Sequence, residues 1–151
     1  MKLAEALILR ADTMKRIQQL RERLTRSAQT PEGERPPEDP QELLAEADRL
    51  LAQYTDIVSR INHTNSVTAF AEGRTLTDVL AERDTLSLER GLLESLMAAA
   101  TNQSYRYQRA EIKYVSTVSV AAIQKRMDDL ARRYRELDSA IQALNWQIDL
   151  I

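Results

Sequence analysis

Apolar side chains recur at spacings of three and four along most of the chain, the repeat that gathers them on one side of an α-helix. Leu3, Leu7, Met14, Ile17, Leu20 and Leu24 mark a first helix over about residues 2–27, with Arg10 intruding on the stripe. A second covers 40–62, where Leu43, Ala47, Leu50, Tyr54, Ile57 and Ile61 follow the alternating four and three of a coiled-coil seam. Its start is explicit. Asp39 is placed to cap, Pro40 suits the first helical position, and Glu42 stands three residues after the cap. A third helix over 75–101 has Thr75 as its cap and Asp78 in the capping-box position, and buries Leu76, Val79, Leu80, Leu86, Leu93 and Met97. Arg83 and Arg90 fall on or beside that stripe, and Gly91 weakens the helix without ending it. The fourth, over 119–149, has the longest seam: Ile123, Met127, Leu130, Tyr134, Leu137, Ile141, Leu144, Ile148 and Ile151. Val118 and Ile123 occupy the positions of a hydrophobic staple at its start.

Three stretches break the pattern. SAQTPEGERPPEDP carries excess acid and prolines, so residues 28–39 form an exposed linker. In RINHTN the amide and hydroxyl side chains compete with the helix backbone, which predicts that the second helix stops there with His63 helping to cap it. YRYQRAEIKYVSTVSV has the aromatic and β-branched content of an extended segment over about 105–117. A lone strand at 111–115 needs a partner, and VTAFAEGR is the best local candidate. The expected fold is all-α: one domain, 1–151, of four long amphipathic helices in a bundle or coiled-coil-like arrangement, with a short extended segment that pairs as two strands.

Composition narrows the chemistry. With no cysteine there is no disulfide framework, thiolate metal site or cysteine nucleophile. The net charge of −2 gives no overall attraction to nucleic acid or an anionic membrane. The basic face of the first helix, with Lys15, Arg16, Arg21, Arg23 and Arg26, reads as a solvated surface matched to the helix dipole. Glu5 and the charges after it keep MKLAEALILRAD from the pattern of a signal peptide, and no apolar run reaches the roughly 18–20 residues that span a bilayer. A cytoplasmic location is expected. The single histidine, His63, has Arg60 three residues before it where a di-iron bundle needs glutamate, so no metal or other cofactor is expected. No histidine base serves a serine nucleophile, and there is no glycine-rich phosphate loop, so the chain does not read as an enzyme.

MKLAEALILRAD, DPQELL, RINHTN, GRTLTDVLAERD, EIKYVSTVSV and NWQIDLI, taken in order, resemble the septicolysin-like family of small bacterial proteins over nearly the whole chain. The resemblance implies a helical protein without an assigned activity and supplies no catalytic residues. Its name points to membrane activity, which a chain without cysteine or a membrane-inserting segment does not support.

Helices of about 35–45 Å exceed what a compact monomer needs, so a homo-oligomer with an interaction or scaffolding role is expected, the alternative being a monomeric antiparallel bundle. A polar junction between subunits, able to bind a further protein partner, is expected from Arg60, Asn62, Asn65, Arg74, Asp78, Arg83 and Asp84, from Tyr105, Arg106, Tyr107, Arg109 and Lys113, and from Trp146 and Asp149 of another chain. Arg74 and Asp78 are spaced to pair. The tyrosines and cations of residues 105–114 have the composition of a nucleic-acid surface, though packing against helices or a neighbouring subunit and ion pairing with acids such as Glu111 account for them better.

Overall fold

A computed structural model describes residues 1–102 and 113–151. Four helices, α1 (Leu3–Ser27), α2 (Pro40–Val67), α3 (Leu76–Thr101) and α4 (Val120–Gln147), contain most of them, and β1 (Ala69–Ala71) pairs with β2 (Arg74–Thr75) between α2 and α3. The chain divides into two compact units, one of residues 1–69 with 143–151 and the other of residues 70–142.

In the first unit α1 and α2 form an antiparallel hairpin. Leu20 near the end of α1 packs with Leu43 and Leu50 of α2, and Ile17, Leu24 and Ala47 close around them. Arg23 donates to both Glu38 carboxylate oxygens, at 3.0 and 2.5 Å, and pairs with Glu46 across the hairpin at 3.5 Å. The seam of α1 differs from the apolar reading: Met14 is exposed, and Thr13 takes the inward position. Leu3, Ala6, Thr13, Leu20 and Ser27 are buried at spacings of three, or of seven with a half-buried residue between. Thr13 is admitted because its Oγ1 donates to the Leu9 carbonyl at 2.8 Å.

α2 does not stop at Asn62. It runs through His63, Thr64 and Asn65 to Val67, so His63 lies inside the helix rather than capping it. Burial explains the continuation. Ile57, Ile61 and Thr64 occupy successive seam positions, all buried, and tertiary packing of that stripe outweighs the poor helix propensity of the polar residues. The true stop is Thr68, whose backbone N–H and hydroxyl both donate to the Thr64 carbonyl, at 3.0 and 2.7 Å.

The seam of α4 also ends early. The helix finishes at Gln147, and residues 148–151 run extended beside the start of α1. Leu3 N donates to the Ile148 carbonyl and Leu150 N to that of Met1, at 3.1 and 2.9 Å. The alternation of a strand then buries Leu150 and leaves Ile151 59% exposed, where a continued heptad would have buried it.

In the second unit α3 and α4 pack antiparallel through Leu86, Leu93, Ile123 and Leu130, with Met97, Val118, Met127, Tyr134 and Leu137 around them. Both helix starts follow the sequence. Thr75 and Asp78 form the reciprocal capping box of α3, and Ser119 Oγ accepts from Ala122 N at the start of α4. Val118 joins the same cluster as Ile123, as a staple requires.

VTAFAEGR is extended and, among the described residues, pairs with itself. It folds back on itself through Glu72 and Gly73, both at positive φ (52° and 74°), the two-residue turn that suits strand twist. Residues 113–116 carry no strand, and the rest of the extended segment, with Tyr105, Arg106, Tyr107 and Arg109, lies outside the described residues.

Candidate interaction surface

Most of the described polar residues expected at a junction are engaged close to where they stand. In the first unit Arg60 Nε donates to the Ile151 carbonyl at 3.2 Å, and its guanidinium lies 3.9 Å from Asp56 one turn earlier. Asp149 accepts from Lys2 Nζ at 3.0 Å, and the same ammonium donates to the Gln147 carbonyl. Asn62 is exposed and Asn65 half-buried on α2, within the helix. Trp146 is 56% exposed, so it is not buried by the fold of its own unit.

In the second unit the pairing of Arg74 differs from its expected i,i+4 partner. Its guanidinium donates to Glu82 at 2.5 Å, and Glu82 also lies 3.9 Å from Arg133 of α4. Asp78 is held instead by Thr75. Hydrogen bonds from the Thr75 backbone N–H and then its hydroxyl keep the Asp78 carboxyl below the usual carboxylate range. Arg83 is the paired charge on the inward stripe: it donates to Asp138 of α4 at 3.0 Å and to Asp84 at 3.2 Å. Burial pulls its pKa down, while the hydrogen bonds to Asp138 and Asp84 outweigh that and leave it raised. Lys113 is exposed.

The more informative surface is apolar. The inward seam expected for α3 leaves Leu88, Leu92 and Leu96 unassigned, and these three are 71%, 73% and 42% exposed. Spaced four apart, they form one row along the helix, on the side away from Leu86 and Leu93. Thr85, Gly91, Ser95, Ala98 and Ala99 are exposed beside them, and the charge that flanks the row, half-buried Glu89, is paired with Arg126 of α4. At its far end Tyr114 and Val115, 67% and 74% exposed, line a groove of about 250 Å³ with Leu96, Ala99 and Ala100. The signal was present in the sequence as a second apolar repeat on the third helix. Reading one face per helix passed over it.

Among the described residues no helix is long and apolar enough to cross a membrane, and no group of three or more histidine or carboxylate side chains could hold a metal ion. Among the described residues the polar clusters are ion pairs and caps, and the leucine row is a contiguous apolar feature without a role inside its own unit.

Comparison with known proteins places the chain. The profile of a family of unknown function, DUF6847, matches residues 10–150. The chain belongs to that family. A crystal structure of a functionally unknown conserved protein from Corynebacterium diphtheriae is 45% identical, with a TM-score of 0.93 over 100% of this chain and 99% of that one. No curated protein matches the chain. Family membership therefore comes without an activity, and the surface of α3 has to be interpreted on its own chemistry.

Proposed function

We propose that this DUF6847 member acts by association, as a self-associating helical protein with an interaction or scaffolding role and without catalysis of its own. The observation that supports this reading is the outer face of α3, where three leucines stand in water in one row. Single exposed leucines are ordinary on soluble proteins, but a contiguous apolar row signals a surface that is covered in the working state. Each leucine moved out of water is worth up to about 2 kcal/mol, so such a row can drive assembly without any polar contact. The septicolysin-like resemblance fits as a proposal of kinship and adds no activity. In the same reading the protein works in the cytoplasm, consistent with a chain that has no cysteine.

Sedimentation equilibrium of the full chain at micromolar concentrations tests this. The expected result is a mass that is an integral multiple of the chain mass. A monomer at every concentration overturns the reading.

A further inference from the structure

The proposed association does not say what covers α3 or in which direction it lies. Resting on that reading, we infer that a second copy of this chain covers the outer face of α3, its own α3 running antiparallel about a two-fold axis at Leu92. Three features of the face lead there.

The row is self-complementary about its middle residue. With Leu92 on the axis, Leu88 meets Leu96 of the partner subunit, and Thr85 meets Ala99 of the partner subunit, each contact occurring twice as an isologous interface requires. Thr85, Leu88, Leu92, Ser95 and Ala99 follow the alternating three and four of a coiled-coil seam about that residue.

Gly91 sits in the middle of a 26-residue helix, where glycine disfavours the helix by about 1 kcal/mol relative to alanine. Nothing in the fold accounts for it: a Cβ there would meet open space. Beside the leucine row, with Ser95 and Ala98 on the same flank, it lets a second helix backbone approach closely.

Charge selects the direction. Residues 76–89 of α3 carry Asp78, Glu82, Asp84 and Glu89 against Arg83 alone, Arg90 and Glu94 pair with each other, and residues 95–102 carry no charge and lead towards Lys113. A parallel pair would stack each acid beside its own copy. The antiparallel pair sets Asp84 and Glu89 against the uncharged half, brings Asp84 towards the end that carries Lys113, and opposes the two helix dipoles. It also brings Tyr114 and Val115 of one copy towards the Leu88 end of the other.

The absence of cysteine makes the test clean, because single-cysteine variants of the full chain each report one position. Under mild oxidation L92C is expected to form a disulfide-linked dimer. L88C alone and L96C alone are expected not to, since each would lie about 12 Å along the axis from its own copy, beyond disulfide reach. An equimolar mixture of L88C and L96C is expected to link. Separately, Leu92→Glu, checked for retained helicity by circular dichroism, is expected to weaken the dimer on the order of 100-fold, while Leu44→Glu on α2 leaves it unchanged. Linking of L88C alone as readily as L92C would mean a parallel pair and overturn the inference while leaving association standing. Assembly that persists in L92E, or that yields no cross-link from any of the three positions, would place the contact on another face, again overturning only the inference. A wild-type chain that is monomeric throughout overturns both.

Discussion

Thr64 is fully buried, and its hydroxyl serves two backbone groups: Oγ1 donates to the Arg60 carbonyl at 2.8 Å and accepts from Ile151 N at 3.1 Å. Thr64→Val keeps the shape and removes both bonds, stranding the Ile151 N–H. The expected cost is about 1–3 kcal/mol in urea denaturation, with Thr64→Ser restoring most of it and hydrogen exchange at the Ile151 amide rising only in the valine variant. The same residue marks the limit of reading by residue type. Asn62 to Asn65 are all weak helix formers, and what decides the outcome is that Thr64 falls on the seam and finds a partner from the far end of the chain. Asp78 shows the opposite case, where the local signal was sufficient. Its carboxyl titrates below the usual range because Thr75 donates to it twice. A depressed folded pKa contributes stability that is complete above the unfolded value of about 3.9 and disappears as pH falls through the folded one. Asp78→Asn should therefore lower the melting temperature at pH 7 but have progressively less effect as pH falls below about 4, with the wild type converging on the variant. An equal loss at pH 7 and at pH 2.5 would show that the cap does not depend on the charge.

Among the elements, all four helices were legible from apolar period and capping residues, because those signals are local and each helix has one face to bury. The differences arise where burial or pairing decides between competing local signals. α2 is longer because Ile61 and Thr64 are buried, α4 is shorter because residues 148–151 prefer the edge of α1, and VTAFAEGR closes its own hairpin through Glu72 and Gly73. Of the candidate site, the place of Arg83 on or beside the seam was legible and its partner Asp138 was not, since a seam position says that a charge needs an ion but not which one. This pair is partly shielded, with side chains 24% and 32% exposed, and it links α3 to α4 within one unit. A double-mutant cycle of Arg83→Ala and Asp138→Ala should give a coupling of about 1 kcal/mol, above the few tenths typical of the exposed i,i+4 pair Arg90 and Glu94. If the Arg83 cycle gives no more coupling than the Arg90 cycle, Asp84 alone satisfies the guanidinium. The leucine row was missed for a related reason: a second apolar face has no partner within the chain to reveal it, and the charges nearest it are few.

For the molecule as a whole, the decisive connection is α4. Its 28 residues run from the second unit into the first without glycine or proline, so the step from Gln142 to Ala143 lies inside an unbroken helix. Each unit has its own apolar cluster, one around Leu20, Leu43 and Leu50 and the other around Leu86, Leu93, Ile123 and Leu130, and each could in principle melt alone. Melting one while the other stays folded, however, requires α4 to end in mid-run, giving up seam contacts and leaving a turn of backbone groups without caps. Unfolding should therefore be a single transition, with calorimetric and van't Hoff enthalpies equal and Leu20→Ala lowering the melting temperature of the whole protein, through a loss of about 2–5 kcal/mol. Ala143→Pro is the informative partner to that experiment. Proline there removes an intrahelical hydrogen bond and costs about 3 kcal/mol or more, and it does so at the connection itself, leaving both apolar clusters untouched. The expected result is a broadened or split transition in A143P where L20A keeps a single one. Two transitions already present in the wild type would mean that α4 does not couple the units, whereas one sharp transition in A143P would mean that the coupling runs through contacts other than this helix.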